Sequence, residues 1–165
     1  MCIRDSGCIV HFDTFMTGEV FAVLSEHSIL GRTQQKGASF DGHAFDRGVQ
    51  VALSTDGEIG PLSTLFSARS LGLTGELSAT AQPDYLSGLL IGHELSALAS
   101  VQRRRRNSVH LPSIILIGNA QLCARYSRAL DACGFARVTL AEQATERGLW
   151  QLAVAAGLIT PNPSR

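Results

Sequence analysis

Apolar residues recur at three- and four-residue spacing from Tyr85 through Leu86, Leu89, Leu90, Ala97 and Leu98 to Val101. This pattern predicts a long amphipathic helix, with Asp84 placed to cap it. Gly88 and Gly92 lie inside that helix, and each costs about 1 kcal/mol relative to alanine. Their presence implies close approach by another backbone or by a ligand. The period then changes. Ser113-Ile-Ile-Leu-Ile-Gly118 is a β-branched run closing on glycine, the pattern of a fully buried strand. Leu122, Cys123, Tyr126, Leu130 and Cys133 return to one helical face, and Gly134 supplies a helix stop. Residues 137–140 read as a second strand. Residues 142–156 read as a last helix, ended by Gly157, Pro161 and Pro163. A β-α-β-α close of this kind belongs to a layered α/β domain.

The preceding half is mostly helical in pattern. A short strand over 7–12 leads into a helix through Val20, Phe21, Val23 and Leu24, with Thr14 or Thr17 as its cap. Residues 32–42 are polar and glycine-rich, which predicts an exposed loop. Another helix is expected over 40–53. Pro61 suits the first turn of a further one running through Leu62, Leu65, Phe66 and Arg69.

Composition narrows the class. The chain has 165 residues, 45% hydrophobic and 17% charged, with 14 basic and 14 acidic groups. That suits a globular chain with a real core and excludes intrinsic disorder. The apolar runs are far shorter than a membrane span, so no membrane partner is expected. Thirteen of the basic residues are Arg and Lys36 is the single Lys. Net charge is zero, so no global field draws the chain to nucleic acid. The run from Arg103 to Arg106 suits the end of a helix, where cations face the dipole. An RNA contact through these arginines is the alternative, unsupported by interleaved aromatics. The four cysteines form no C-x-x-C pair; Cys123 and Cys133 read as reduced core thiols and point to the cytoplasm.

Familiar catalytic motifs are missing. There is no G-x-x-x-x-G-K-[ST], no G-x-G-x-x-G and no G-x-S-x-G, and Ala97 replaces the second histidine that would complete H-E-x-x-H after His93-Glu94. No metal site is expected within the chain.

Four ordered segments carry a resemblance: residues 12–31 (FDTFMTGEVFAVLSEHSILG), 65–73 (LFSARSLGL), 85–94 (YLSGLLIGHE) and 116–126 (LIGNAQLCARY). Together they resemble the C-terminal half of the 2-dehydro-3-deoxygalactonokinases, members of the actin-like sugar-kinase superfamily. The resemblance implies an α/β fold: the C-terminal lobe of an actin-like, ribonuclease H-like sugar kinase, with a short mixed sheet, helices and a helical insertion. It places that lobe over 7–160, with 1–6 an unrelated lead-in and 161–165 a tail. It further implies an ATP- and Mg²⁺-dependent kinase acting on the 6-hydroxyl of 2-dehydro-3-deoxy-D-galactonate, in galactonate catabolism. The family's Asp-Trp-Gly-Thr and Gly-Thr-His-Ser-Lys-Trp segments have no counterpart here, so the isolated chain is expected to be inactive, and no catalytic base is assigned. A noncatalytic nucleotide-binding or interaction module is the rival reading. Oligomeric state stays open.

A glycine at the carboxyl end of a strand, opening a helix, lets a flat ligand approach the backbone in the crevice where open α/β sheets bind ligands. The resemblance implies Gly118, Asn119, Ala120 and Leu122 as contacts to adenosine, with Gly92 on the preceding helix beside them. A plain strand-to-helix turn is the alternative for the first group, and helix packing for Gly92. Thr14, Thr17 and Glu19 suit either an oxygen-rich substrate or a capping box. Arg69 suits either an anionic substrate group or an internal ion pair.

Overall fold

The computed structural model describes residues 2–5, 8–106, 113–135 and 137–160, with backbone alone for 2–5, 8–10, 105 and 106. The chain forms two units, residues 1–110 and 111–165.

In the first unit, β1 (Cys2–Asp5) and β2 (Cys8–Phe12) pair as an antiparallel hairpin. They are followed by α1 (Thr17–His27), a 3₁₀ turn (Gly31–Thr33), α2 (Gly42–Leu53), the short helices α3 (Thr55–Glu58), α4 (Pro61–Thr64) and α5 (Ser67–Leu73), and the 25-residue α6 (Gln82–Arg106). The core lies where α6 meets α2. Phe45, Val49, Tyr85, Leu86 and Leu89 are fully buried there. Leu30, Ala68 and Leu77 extend the same cluster, and Val20, Phe21 and Leu24 of α1 pack against it.

The two central helices approach so closely because glycines line the seam. A Cβ on Gly48 would overlap the Tyr85 carbonyl oxygen, and one on Gly88 would overlap the Phe45 carbonyl oxygen. A Cβ on Gly92 would sit 2.7 Å from the Ala52 Cβ. Backbone approach therefore accounts for the helix-interior glycines.

Polar groups buried by this packing find partners. The Tyr85 hydroxyl meets the Ser67 hydroxyl at 2.8 Å. Thr33 Oγ1 donates to buried Gln82 Oε1 at 2.7 Å. Asp41 caps α2, its Oδ1 accepting the N–H groups of His43 and Ala44, while the Asp41 N–H donates to buried Asp84 at 2.8 Å. Asp84 is thus not the cap of α6. The helix begins two residues earlier, at Gln82, and the carboxylate ties down the entry to α2 instead. The helix expected from Pro61 through Arg69 is broken at Leu65-Phe66 into α4 and α5. At the far end of α6, Arg103 and Arg104 are exposed, which suits cations in a last helical turn.

The second unit contains β3 (Ile114–Leu116), α7 (Ala120–Ala132), β4 (Val138–Leu140) and α8 (Ala144–Ala155). β3 and β4 are parallel, with Ile114, Ile115 and Leu116 opposite Val138, Thr139 and Leu140. Cys123, Ala129, Leu130, Cys133 and Phe135 form its buried side, and both cysteines are thiols. Gly134 at φ +81° ends α7, as its position predicts. The fully buried strand expected at 113–118 is exposed at Ile115. Among the described residues the strands form two separate two-stranded sheets, one antiparallel and one parallel, instead of one mixed sheet. The hairpin belongs to the first unit and the parallel pair to the second. No helix among the described residues is long and apolar enough to cross a membrane.

Candidate functional site

Two strand-to-helix junctions stand at the carboxyl edge of the parallel pair. In the first, β3 runs through Ile117 and Gly118 to Asn119, the N-cap of α7 with extended backbone. The Asn119 side-chain oxygen accepts the Leu122 N–H at 2.8 Å, and its carbonyl accepts the Cys123 N–H at 3.0 Å. With Oδ1 committed to the cap, the amide NH₂ remains to donate outward. Gly118, Asn119 and Ala120 are all exposed, as is Leu122.

Gly118 is informative because the fold does not require it. A Cβ there would meet only Cys123 Sγ, at an ordinary 3.5 Å, and its φ lies outside the left-handed range. A missing side chain at this edge leaves the strand end open to a ligand.

In the second junction, the Ala141 N–H donates to the Leu116 carbonyl at 3.0 Å, continuing the ladder past β4. The chain then enters α8 through Gln143, whose φ of 53° is the one positive value for a non-glycine among the described residues. Because the strands are parallel, the N-termini of α7 and α8 lie at the same sheet edge. Their dipoles favour electron-rich ligands there.

The other proposed residues lie in the first unit. Gly92 faces α2 and is accounted for by that contact. Thr14 is exposed ahead of α1, and Glu19 is exposed in its first turn. Neither Thr14 nor Thr17 caps α1: its N-cap is Met16, without a side-chain bond. The Thr17 hydroxyl donates to Glu94 Oε2 at 2.5 Å. A partner 77 residues away, invisible to local pattern, has taken the group that a cap would use. Arg69 donates to the Ile29 carbonyl at 3.0 Å, fastening the turn after α1.

His93 and Glu94, which end the family-like segment 85–94 and fail as a zinc motif, both make long-range contacts. His93 Nε2 meets Thr64 Oγ1 at 2.7 Å, and burial holds its pKa below the ordinary 6.5. The folded chain therefore binds this proton less readily than the unfolded chain. The stability associated with neutral His93 is complete above about pH 6.5 and is lost as pH falls through the window beneath it. His93→Gln keeps a hydrogen-bonding group beside Thr64 without the titration. It is expected to flatten the fall in Tm between about pH 7 and about pH 5. Melting curves across that range check this, and an unchanged slope would assign the acid sensitivity to other groups.

Among the described residues, no three His, Cys, Asp or Glu side chains gather as metal ligands.

Comparison with known proteins gives one consistent result. The sequence profile described as 2-keto-3-deoxy-galactonokinase matches residues 3–152. A 2-dehydro-3-deoxygalactonokinase of Escherichia coli (strain K12) is 34% identical over 133 residues, covering 79% of this chain and 41% of that protein. "Probable 2-dehydro-3-deoxygalactonokinase DgoK1" of Rhizobium meliloti (strain 1021) is 33% identical over 142 residues, covering 84% and 44%. A crystal structure from Sinorhizobium meliloti, assigned as a 2-dehydro-3-deoxygalactonokinase, superposes with a TM-score of 0.75 at 28% identity, over 92% of this chain and 48% of the other. The chain spans less than half the length of each of these relatives.

Proposed function

The chain belongs to the 2-keto-3-deoxy-galactonokinase family, and on that premise we propose that it is the C-terminal, nucleotide-binding part of an ATP-dependent sugar-acid kinase. The complete protein transfers the γ-phosphoryl group of ATP to the 6-hydroxyl of 2-dehydro-3-deoxy-D-galactonate, in the cytoplasm. Residues 7–160 form a lobe of the actin-like, ribonuclease H-like kind. The observation that carries this reading is the family match over residues 3–152. The open strand end at Gly118 supports the nucleotide assignment within it.

In this reading Gly118 leaves room for the flat face of adenosine beside β3. Asn119 donates its amide N–H groups to acceptors on the base or ribose, and Ala120 and Leu122 supply apolar contact on the first turn of α7. Gly92 serves by letting α6 close on α2. Thr14, Thr17, Glu19 and Arg69 are proposed on the acceptor side, with Thr17 oriented by Glu94 and Arg69 by the Ile29 carbonyl.

Phosphoryl transfer depends on positioning, charge neutralisation around the phosphates and an oriented acceptor hydroxyl. Mg²⁺ supplies part of that neutralisation when bound to the nucleotide. The described residues offer it no ligand cluster of their own, so no step is assigned through it here. The chain's own contribution is to bind and orient the adenosine end.

The test is a chimera in which this chain replaces the matched stretch of the Escherichia coli relative. Coupled ADP-release assays with 2-dehydro-3-deoxygalactonate and Mg²⁺ should show turnover by the chimera and background rates for the chain alone. A chimera that binds ATP and transfers nothing would favour the noncatalytic module. Turnover by the isolated chain would contradict its assignment as a part.

A further inference from the structure

Parallel strands are ordinarily covered on both faces, because their crossover helices pack there. The β3–β4 pair departs from that rule: Ile115, at the centre of β3, is 67% exposed, and Ile117 is 61% exposed. α8 departs in the same way. None of its residues is buried. Leu149, Trp150 and Leu152 are 62%, 52% and 68% exposed, while Ala144 and Gly148 are among its half-buried positions. Its largest apolar residues stand in water, whereas an ordinary amphipathic surface helix turns such residues to the core. Leu149 and Leu152, three residues apart, form a stripe, and from Gly148 to Ala155 α8 carries no charged residue.

Exposed apolar surface of this kind marks an interaction site, and its chemistry restricts the occupant. Without a cation on the stripe it does not suit a nucleic acid. It suits an apolar protein surface. The relatives extend well beyond the match, since the matched portion is 41% of the Escherichia coli protein and 48% of the solved Sinorhizobium meliloti chain. More than half of each relative lies outside the match.

We propose that the exposed apolar surface of α8 at Leu149, Trp150 and Leu152 docks the part of the family polypeptide that this chain does not contain. The proposal rests on the reading of the chain as part of a longer kinase. It adds which surface joins the parts.

Trp150 is the chain's one tryptophan, so its signal reports on the proposed surface. The chain is labelled with 5-fluorotryptophan and mixed with a second polypeptide, made of the residues of the Escherichia coli relative outside the match. Light scattering gives the stoichiometry, and the single ¹⁹F resonance gives the solvent exposure of Trp150. A one-to-one complex is expected, with the resonance shifted and shielded from a soluble paramagnetic quencher. The double variant Leu149→Asp/Leu152→Asp, whose changes lie in solvent-exposed positions, should weaken the complex at least tenfold while its circular dichroism stays that of the parent.

A complex with Trp150 still exposed and no effect of the double variant would overturn the surface and leave the kinase reading intact. A dimer of this chain that the double variant abolishes would overturn the proposal in favour of a second copy. No complex at all, beside an active chimera, would overturn docking alone. No complex and an inactive chimera would remove both readings together.

Discussion

Gly88→Ala is expected to destabilise the first unit on the order of 3 kcal/mol or more, although alanine is intrinsically the better helix former by about 1 kcal/mol. The sign is set by the α2–α6 seam. A methyl group on Gly88 would overlap the Phe45 carbonyl oxygen and crowd the Val49 amide nitrogen, and both belong to backbone. A side chain can rotate away from such a clash, but a helix must move as a body. Separating α6 from α2 would loosen Phe45, Val49, Leu86 and Leu89, all buried at the seam. Gly18→Ala provides the control. Gly18 lies in α1 with nothing within 4 Å of the added carbon, so the same change there should be neutral or stabilising by up to about 1 kcal/mol. Urea unfolding of both variants measures the contrast. Equal stabilities would mean that the seam is not closed by backbone contact.

Gly118→Leu concerns the site. In the chimera it is expected to raise the KM for ATP at least about tenfold, roughly 1.4 kcal/mol of lost binding, with little change in the KM for the sugar acid. The argument is steric. A single Cβ at Gly118 is accommodated, meeting only Cys123 Sγ, so the backbone has no reason to rearrange. The branched end of a leucine then extends into the open space proposed for adenosine. Binding lost in the ground state and transition state alike raises KM and leaves kcat at saturating ATP nearly unchanged. Gly118→Ala, the smaller step, should fold as the parent does and give an intermediate KM. If Gly118→Leu folds and its ATP dependence is that of the parent, Gly118 is a turn residue only, and the roles proposed for Asn119 and Ala120 fall with it.

Features that depend on neighbours in sequence were legible before the fold was known. The long helix, the glycine stop at Gly134, the two short strands of the second unit and the Gly118–Leu122 junction all appear close to where the pattern put them. The interior glycines Gly88 and Gly92 also signalled close approach correctly, without saying whether helix or ligand approached. Groups with two possible partners were not legible. Thr17 and Asp84 are both good caps by type, yet each is taken by a partner far along the chain, Glu94 and the Asp41 N–H. The contacts of His93 and Glu94 were not legible either, because only the fold brings Thr64 and Thr17 to them. Ile115 misled for a related reason. A β-branched run states that a strand prefers to be covered, and it does not state that the chain itself supplies the cover.

The product of the reaction tests the central claim most directly. The chimera is incubated with ATP, Mg²⁺ and ¹³C-labelled 2-dehydro-3-deoxygalactonate, and the mixture is followed by ³¹P and ¹³C NMR. The account predicts a new phosphomonoester coupled to C6 of the sugar acid, formed in step with ADP and reduced at subsaturating ATP by Gly118→Leu. ATP left intact, or hydrolysed to free phosphate with the sugar acid unchanged, would contradict it.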